Sequence, residues 1–282
     1  MATNTTNQID DYFSQPEVWE NNYKNNEIEA QRIRDTISAI PVDTKSILDA
    51  GCGNGLFLNS LSEIDKNRFK RLVGIDSSSA ALEQVKVEKL QSGLSHMPFN
   101  GREFDLVTCL EVLEHLSTND YKMALSEIDR ISNKYIIITV PNRESLIQGL
   151  AICPKCHCCF NPWHHVRTFD KDNLSKLFEN FEMRECMGIG PKVKKIKLHP
   201  IIKGIFLFGF RPAPPNYTVC PQCLYKKTPQ GQAQTPSQKQ NSINPQGWAK
   251  KTINFIAPKE EKPKWLLAIY SRRPCDEGLP SG

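Results

Sequence analysis

Ile47-Leu-Asp-Ala-Gly-Cys-Gly-Asn-Gly55 is an apolar stretch that runs into a glycine-rich turn. The apolar start predicts a buried strand, and the glycines predict a sharp turn before a helix. Because glycine lacks a Cβ and readily adopts positive φ, such a turn lets a ligand contact the backbone. A second apolar stretch, Arg71-Leu-Val-Gly-Ile-Asp76, ends in an acid placed to accept hydrogen bonds from ribose hydroxyls in a doubly wound sheet. Together the two stretches indicate a nucleoside-binding crevice.

Strand-like and helix-like patterns alternate outward from this stretch. We predict strands at 46–50, 71–75, 90–94, 104–109 and Tyr135–Val140, and helices at 55–63, 78–88 and 119–131. This alternation is typical of an α/β fold with a doubly wound, mainly parallel sheet. The run at Tyr135–Val140 suits a strand buried on both faces. Further on, we predict a helix at 170–179 and two more strands at Glu182–Ile189 and Trp265–Arg272.

Length and composition are those of a soluble globular protein. The chain has 282 residues, 39% of them hydrophobic and 24% charged, which suits one large domain with an elaboration. No apolar run approaches the roughly 18 residues of a membrane span, and the polar N-terminus has no pattern of a secretory signal. We therefore expect a cytoplasmic protein. In that reducing compartment, ten cysteines favour metal sites or buried thiols over disulfides.

The positive charge of the chain is concentrated in one region. Residues 191–264 contain fourteen lysines and arginines against two glutamates, a local charge of +12, which leaves −7 for the rest of a chain whose net charge is +5. A basic appendage on an acidic body favours an anionic partner, such as a phosphorylated substrate, an acidic protein, a nucleic acid or a membrane surface. The alternative is a solvated loop that its lysines keep soluble.

Two Cys-x-x-Cys knuckles predict a zinc site. Cys153-Pro-Lys-Cys156 and Cys220-Pro-Gln-Cys223 have the ligand spacing of a tetrahedral four-thiolate site. The knuckles follow the fifth and sixth predicted strands, whose carboxyl ends open at one edge of a parallel sheet. We therefore expect Cys153, Cys156, Cys220 and Cys223 to bind one structural Zn²⁺ beside the crevice. An alternative set would take further ligands from His157, Cys158, Cys159, His164 and His165 and leave the second knuckle free.

Two carboxylates and an imidazole follow the strand at 104–109. If this segment is helical, the side chains of Glu111, Glu114 and His115 share one face. Oxygen and nitrogen ligands suit Mg²⁺, Mn²⁺, Fe²⁺ or Zn²⁺ better than Ca²⁺. The alternative is a site without metal, in which His115 orients a loop or acts as a general base.

Four segments resemble the motifs of class I S-adenosylmethionine-dependent methyltransferases. They are Asp49–Gly55, Gly74–Asp76, His96–Phe99 and Phe104–His115, and their order and spacing fit from about residue 45 to 140. The resemblance implies a Rossmann-like sheet of seven strands and S-adenosylmethionine as cofactor.

The resemblance also assigns residues to parts of the cofactor. It places Asp49, Gly51, Cys52, Gly53, Leu110 and Glu111 at the methionine end, Asp76 at the ribose with Ser77 nearby, and Leu94, Ser95 and His96 at the adenine. Gly93 departs from the pattern, because many relatives have an aspartate there that holds the adenine amino group. Recognition of adenine would then depend on backbone groups or on Ser95.

The segment Glu111–His115 further resembles the catechol O-methyltransferases of ubiquinone synthesis and the enzymes that methylate the terminal 2′-hydroxyl of small RNAs. In those enzymes Glu-x-x-Glu-His holds a metal that binds adjacent hydroxyls, and in the RNA enzymes one more histidine completes the set. Here His164 or His165 offers that histidine. The resemblance thus implies a second, catalytic divalent metal at Glu111, Glu114, His115 and His165.

The most favoured function is O-methylation of a hydroxylated small molecule, with His115, His164 or His165 as proton acceptor or metal ligand. N-methylation of an amine stays open, because the motifs do not encode the nucleophile. Methylation of a nucleic acid gripped by the basic insertion is a second hypothesis. A non-enzymatic scaffold and a membrane-surface element at residues 192–210 are two more.

We predict three parts along the chain. Residues 1–40 form an N-terminal helical cap whose aromatic side chains pack on the core or line a pocket. Residues 41–190 and 264–274 form the methyltransferase core, and residues 150–168 and 191–263 form the zinc-knuckle and basic insertions. Within the second insertion, residues 226–246 are expected to be disordered, because a Gln-, Pro-, Ser- and Thr-rich composition cannot bury a core.

Overall fold

The computed structural model describes residues 12–16, 19, 27–64, 67–146, 150–196, 214, 218–226 and 259–274. Most of the predicted cap, most of the basic insertion and all but the first residue of the 226–246 stretch lie outside these residues. The described helices are α1 (Glu27–Ser38), α2 (Leu56–Ile64), α3 (Ser79–Leu82), α4 (Thr118–Ile131) and α5 (Lys171–Leu174). The described strands are β1 (Ser46–Ala50), β2 (Arg71–Asp76), β3 (Glu88–Gln91), β4 (Phe104–Leu110), β5 (Ser132–Pro141), β6 (Ala151–Ile152), β7 (Cys159–Phe160), β8 (Phe181–Ile196) and β9 (Lys259–Arg272).

Seven of these strands form one sheet in the order β3-β2-β1-β4-β5-β9-β8. Strands β1 to β5 pair in parallel, whereas β9 is antiparallel to both β5 and β8. Strand β8 therefore runs in the same direction as the first five strands, and all of their carboxyl ends share one edge. Strands β6 and β7 form a separate two-stranded ribbon. The predicted α/β architecture with a mainly parallel sheet is confirmed.

The centre of the sheet is covered on both faces. Successive side chains of a strand point to opposite faces, yet Ile137 and Ile138 of β5 are both fully buried. Ile137 belongs to the apolar cluster that contains Phe57 of α2, and Ile138 belongs to the cluster that contains Ile128 of α4. Helices on both faces of a buried, parallel strand are what the continuous apolar run at Tyr135–Val140 predicts.

The helix predicted at 78–88 is wrong in length, because the structure has only the single turn of α3 there. A continuing helix would use its last carbonyls for bonds to its own N–H groups. Here the carbonyl of Leu82 accepts the N–H of Val85, only three residues on, at 3.1 Å, and Nζ of Lys89 donates to the carbonyls of Leu82 and Val85, at 2.7 Å and 3.0 Å. The chain leaves the helix at this point and enters β3.

The helix predicted at 170–179 is also shorter than expected. Asp170 caps α5 in a capping box with Asn173, so the predicted start is confirmed within a residue. The helix ends at Leu174, whose carbonyl accepts a hydrogen bond from the hydroxyl of Tyr270 at 2.8 Å. Tyr270 lies on β9 and is 1% exposed, so the partner that ends the helix comes from a distant part of the chain.

Tyr270→Phe is expected to destabilise the fold by about 1 kcal/mol, because it removes one hydrogen bond to the buried carbonyl of Leu174, which keeps the bond from the N–H of Leu177 at 3.3 Å. Urea unfolding followed by circular dichroism measures the loss. As a control, Tyr135→Phe removes a hydroxyl at the half-exposed Asp43 and is expected to change stability by less than about 0.5 kcal/mol. Equal effects of the two substitutions would contradict the role given to Tyr270.

Strands β8 and β9 extend beyond the sheet as a two-stranded arm. The predicted strands at Glu182–Ile189 and Trp265–Arg272 are present, but the pairing continues to Ile196 and Lys259. In the arm, Lys194 lies opposite Glu261, with a nitrogen–oxygen distance of 3.1 Å. Opposite charges on facing positions stabilise an antiparallel pair. The arm therefore extends beyond the sheet at its carboxyl edge.

Candidate active site

A cleft of about 1380 Å³ opens at the carboxyl edge of the sheet. The glycine turn after β1, the residues that follow β2 and β4, and the segment after β5 line it. Tyr12, Phe13 and Trp19 close it from the N-terminal side. Binding pockets for single small molecules are usually about 300–1,000 Å³, so this cleft has room for two ligands side by side.

Of the residues predicted to bind the cofactor, all but His96 line this one cleft. They are Asp49, Gly51, Cys52, Gly53, Asp76, Ser77, Leu94, Ser95, Leu110 and Glu111. Gly93 lines it as well, and a Cβ at that position would meet no atom within 4 Å. The position at which many relatives have an aspartate is thus open space.

The turn after β1 requires glycine at two positions. Gly51 and Gly53 have φ of 83° and 53°, a region that other residues adopt at a cost. A Cβ on Gly53 would lie 2.6 Å from the ring of Trp19, and one on Gly51 would lie 2.5 Å from Val112. The backbone of the turn is therefore in direct contact with the side chains that shape the cleft.

Asp76 joins this turn to the end of β2. Its two carboxylate oxygens accept hydrogen bonds from the backbone N–H groups of Gly53, at 2.8 Å, and Ser78, at 2.9 Å. A carboxylate has about four lone-pair sites, so these two bonds are compatible with further hydrogen bonds to ribose hydroxyls. Asp76 can both hold the turn and bind a nucleoside.

Two buried carboxyl groups form the floor of the cleft. Burial raises the pKa of Asp49 to about 7, although the hydroxyl of Thr108 donates to Asp49 at 2.7 Å. Burial also raises the pKa of Glu111 to about 7, and its Oε1 has no hydrogen-bond partner among the described residues. A cationic ligand stabilises the charged form of such groups. The floor thus fits the positively charged methionine end of S-adenosylmethionine.

The segment Glu111–His115 is a turn and not a helix, so the condition under which the three side chains would share one helical face is not met. Glu111 has a φ of 60°, and its N–H still donates to the carbonyl of Thr139 on β5 at 2.9 Å. The N–H of His115 donates to Val112, which closes a single turn. Because Glu111 continues the sheet pairing before the chain turns, its carboxylate does not share a helical face with Glu114.

Glu114, His115 and His165 form a compact group in the cleft. Each offers one potential ligand atom, and these atoms all lie within 4.8 Å of one another. Glu111, which we predicted as a fourth ligand, lies outside this group. Both carboxylate oxygens of Glu114 and Nδ1 of His115 are buried without a hydrogen-bond partner among the described residues. One carboxylate and two imidazoles are a donor set that fits Zn²⁺, Fe²⁺ or Mn²⁺.

Burial dominates the electrostatics of this group. It raises the pKa of Glu114 well above its usual range, and the nearby Glu111 adds to the effect. It lowers the pKa of His115 well below its usual range, as do His165 and His164. A neutral imidazole has a lone pair with which it can bind a cation or accept a proton.

His164 and His165 point to different neighbours. The ring of His165 lies 4.7 Å from the ring of His115 and belongs to the compact group. The ring of His164 lies outside that group and packs 4.7 Å from the ring of Tyr12. His164 is buried, its Nε2 has no partner within the described part of the chain, and burial lowers its pKa to about 4. Among the described residues, His165 is therefore the histidine that completes the compact group.

The two Cys-x-x-Cys knuckles meet, as predicted. The sulfur atoms of Cys153, Cys156, Cys220 and Cys223 all lie within 4.8 Å of one another. The distance from Cys153 to Cys223 is 3.6 Å, and that from Cys156 to Cys220 is 3.5 Å. Four thiolates at about 2.3 Å from one Zn²⁺ lie roughly 3.8 Å apart, so the set fits the ion. The alternative ligands His157, Cys158, Cys159, His164 and His165 lie outside this group.

The knuckles repeat the same backbone structure. The N–H of the first cysteine donates to the carbonyl five residues later, from Cys153 to Cys158 and from Cys220 to Tyr225, both at 2.9 Å. The fourth residue after that cysteine has a positive φ in both knuckles, 57° at His157 and 55° at Leu224. Two equivalent turns thus approach one point from opposite sides.

This four-cysteine module forms one wall of the cleft. Phe160 and Pro221 line the cleft, and Phe160 packs with the buried Cys153 and Cys220. Val219, which precedes the second knuckle, packs against Tyr12 of the N-terminal segment. The module therefore connects the N-terminal aromatic residues to the rest of the site.

Two residues of the site were not predicted from the sequence. Arg32 of α1 is 6% exposed, lines the cleft and pairs with Glu29 at 2.9 Å. Glu144 follows β5 and hydrogen-bonds to His165. In the sequence both are single charged residues among ordinary neighbours, so their roles depend on the distant segments that they meet.

None of the helices among the described residues combines the length and the apolar character needed to cross a bilayer. The described part of the basic insertion is limited to the arm, Pro214 and residues 218–226. Most of the membrane-surface element considered at 192–210 lies outside the described residues.

The chain matches known methyltransferases in sequence. A family model described as a methyltransferase domain matches residues 23–184. An uncharacterised protein of Methanocaldococcus jannaschii is 38% identical over 36% of this chain and 43% of that protein. The ubiquinone biosynthesis O-methyltransferase of Brucella anthropi is 31% identical over 42% of this chain and 50% of that enzyme. The chain thus spans about half the length of the curated relatives that it matches.

Solved structures share the fold at low sequence identity. A chain of the Haloferax volcanii complex between the Trm112 methyltransferase activator and a methyltransferase aligns with a TM-score of 0.54 at 13% identity, over 95% of this chain and 97% of that one. The magnesium protoporphyrin IX methyltransferase of Synechocystis, solved with bound S-adenosylhomocysteine, aligns with a TM-score of 0.51 at 15% identity, over 66% of this chain and 94% of that one. The sheet order, the glycine turn and the match to the family model all indicate the same family. The chain belongs to the class I S-adenosylmethionine-dependent methyltransferases.

Proposed function

We propose that this methyltransferase transfers the methyl group to an oxygen atom of a hydroxylated small molecule. The observation that carries the proposal is the Glu114–His115–His165 group, which lies in the same cleft as the glycine turn. This group offers oxygen and nitrogen atoms without partners among the described residues at a place where an acceptor could meet a cofactor. The similarity to ubiquinone biosynthesis O-methyltransferases supports the same reaction class.

In this proposal, the floor and the turn of the cleft hold the cofactor. Asp49 and Glu111 face its cationic end, Asp76 accepts hydrogen bonds from its ribose, and Leu94 and Ser95 border its adenine. S-adenosylmethionine supplies an electrophilic methyl group when it is bound. The protein's own contribution is to orient the acceptor beside that group and to exclude water, which converts a bimolecular reaction into a positioned one.

The compact group is proposed to prepare the acceptor oxygen. Glu114, His115 and His165 would hold a divalent cation, which as a Lewis acid lowers the pKa of hydroxyl groups in contact with it. Without a cation, the neutral imidazole of His115 or His165 would accept the hydroxyl proton itself.

The walls of the cleft favour an acceptor with an extended or planar shape. Phe160, His164 and the half-exposed Trp163 line the cleft near the compact group. Aromatic side chains provide large flat contact surfaces. Asn161, which also lines the cleft, adds polar groups for the hydroxyls of an acceptor.

A methyl-transfer assay tests the proposed function. The full-length protein is incubated with S-adenosylmethionine labelled in the methyl group and with catechols, sugars, amines or RNA in parallel. Each reaction is run with chelator and then with added Mg²⁺, Mn²⁺ or Zn²⁺. We expect label to enter a hydroxylated small molecule in a cation-dependent manner. Transfer only to amines or only to RNA would overturn the proposal.

Glu114→Gln is expected to reduce turnover more than about 100-fold, because even residues that only support a metal ligand contribute 10–100-fold. Affinity for S-adenosylhomocysteine, measured by calorimetry, is expected to be unchanged. The matched control is Glu63→Gln, which alters an exposed ion pair with Lys86 and is expected to leave both quantities unchanged. Full activity of Glu114→Gln in the presence of chelator would exclude the metal-assisted form of the proposal.

A nucleic-acid acceptor is the second candidate, and the charge of +12 in residues 191–264 favours it. Lys194 on the arm lines the cleft, but Glu261 neutralises it at 3.1 Å. The arm's described residues, 190–196 and 259–264, contain six lysines against Glu260 and Glu261, so its net charge of +4 also favours this candidate. Binding of RNA that weakens steeply with salt, together with label transfer to RNA, would favour this candidate.

A further inference from the structure

Glu144 lies outside the compact group and contacts its member His165 directly. Its Oε2 hydrogen-bonds to Nδ1 of His165, although 21 residues separate the two in sequence. The side chains are 23% and 13% exposed, so solvent screens this pair less than a surface ion pair. Glu144 also contributes to the raised pKa of Glu114, which places its charge close to the whole group.

The two nitrogen atoms of an imidazole have different roles in such a pair. A neutral ring has one N–H and one lone pair, and a carboxylate beside Nδ1 holds the proton on Nδ1. The lone pair is then on Nε2. Histidines that bind metals commonly donate their other N–H to a carboxylate, which fixes the orientation of the ring.

We propose that Glu144 is a positioning residue, which holds His165 in the Nδ1–H form with its Nε2 lone pair available to a divalent cation shared with Glu114 and His115. This inference rests on the proposed function of the compact group. It extends that function by one residue, which touches neither the cation nor the acceptor.

The loop that carries Glu144 is held in place from the side of β9. The buried Lys262 donates from Nζ to the carbonyl of Asn142 and, at 3.0 Å, to that of Arg143. Asn142 bonds in return to the carbonyls of Pro263, at 3.1 Å, and Lys264, at 3.0 Å. Four hydrogen bonds thus fix the two residues that precede Glu144, so its carboxylate starts from a rigid backbone.

The segment that carries His165 is held on its other side. The N–H of Val166 donates to the carbonyl of Glu114 at 2.9 Å, and Arg167 donates to the carbonyl of Leu113 at 2.6 Å. The backbones on both sides of the Glu144–His165 pair are therefore anchored independently. The contact between the side chains is what selects the orientation of the imidazole.

The experiment compares Glu144→Ala and Glu144→Gln with the wild type in the full chain with its zinc retained. Calorimetry measures the binding of Mn²⁺, a cation that thiolate sites do not prefer. We expect the affinity to fall about 100-fold in Glu144→Ala and about 10-fold in Glu144→Gln, whose carboxamide oxygen still accepts from Nδ1. Glu182→Gln, at an exposed ion pair with Arg184, is the matched control and should bind Mn²⁺ like the wild type.

Nitrogen-15 NMR of the histidine rings in the protein without Mn²⁺ gives an independent readout. We expect His165 to be in the Nδ1–H form in the wild type and to shift towards the Nε2–H form in Glu144→Ala, with unchanged signals from the rest of the fold. A wild-type His165 in the Nε2–H form would overturn the inference. Equal Mn²⁺ affinity of wild type and Glu144→Ala would overturn it as well.

The two readouts separate this inference from the proposed function. If the wild type binds no Mn²⁺ but His165 changes its protonated nitrogen in Glu144→Ala, the metal-assisted reaction fails while the positioning contact is retained. If the wild type binds Mn²⁺ and Glu144 affects neither affinity nor ring, the positioning role fails alone.

Discussion

Cys220→Ser is expected to lower the zinc content from one ion per chain to nearly none and to unfold the four-cysteine module. Structural Zn²⁺ contributes apparent binding free energies of about 10–16 kcal/mol in small zinc modules, and most of that is folding free energy. The two knuckles approach one another from segments 64 residues apart, at Cys156 and Cys220, so the ion is their main link. Elemental analysis measures the zinc, and hydrogen exchange measures protection of the backbone around Val219.

The consequences should reach the cleft, because Val219 packs on Tyr12 and Phe160 packs in the module. We expect the acceptor KM to rise, whereas binding of S-adenosylhomocysteine should be affected less. Cys186→Ser is the matched control, since Cys186 lies on β8 outside the group of four. Substoichiometric zinc in the wild type that Cys220→Ser leaves unaltered would contradict the zinc assignment.

Asp76→Ala is expected to weaken the binding of S-adenosylmethionine and S-adenosylhomocysteine at least about 100-fold, which corresponds to about 2.7 kcal/mol. The substitution removes the acceptor for the N–H groups of Gly53 and Ser78 and, in our proposal, for the ribose hydroxyls. Hydrogen bonds to charged groups contribute about 1.5–3 kcal/mol each, so losing several of them accounts for an effect of this size. Calorimetry with S-adenosylhomocysteine measures the affinity.

Two further variants make this result specific. Asp43→Ala removes an exposed aspartate that pairs with Lys134 and should leave the affinity unchanged. Gly53→Ala should also weaken binding, because its Cβ would lie 2.6 Å from Trp19 and its φ of 53° disfavours alanine. An affinity of Asp76→Ala within threefold of the wild type would exclude Asp76 from the binding of the ribose.

The residues proposed to bind the cofactor could be predicted from the sequence, because the patterns that indicate them are local. Gly51 and Gly53 need their positive φ in any chain that turns so sharply, and Asp76 follows directly from the end of β2. The meeting of the knuckles was predictable for a related reason. The topology of a parallel sheet brings the carboxyl ends of its strands to one edge, which places Cys153 and Cys220 near each other without any knowledge of side chains.

The arrangement of the residues proposed to act on the acceptor depended on contacts between distant segments of the chain. The N–H of Glu111 donates to Thr139 on β5, and the last carbonyls of α3 and α5 accept hydrogen bonds from Lys89 and Tyr270. Local sequence patterns that predict a helix cannot take account of hydrogen-bond partners that lie further along the chain. For this reason Glu111 was predicted with Glu114, His115 and His165 as a metal ligand, whereas in the structure the other three form a group without it.

The sequence alone was enough to predict the α/β sheet, the nucleoside crevice and the four-thiolate module. The order of the apolar stretches, the glycine turn and the cysteine spacing indicate them, because each depends on backbone geometry and short-range spacing. The exclusion of Glu111 from the group around His115 and the contact between Glu144 and His165 depended on packing. Glu114, His165 and Glu144 come from three separate loops, and their distances exist only once the sheet, the arm and the module have brought those loops together.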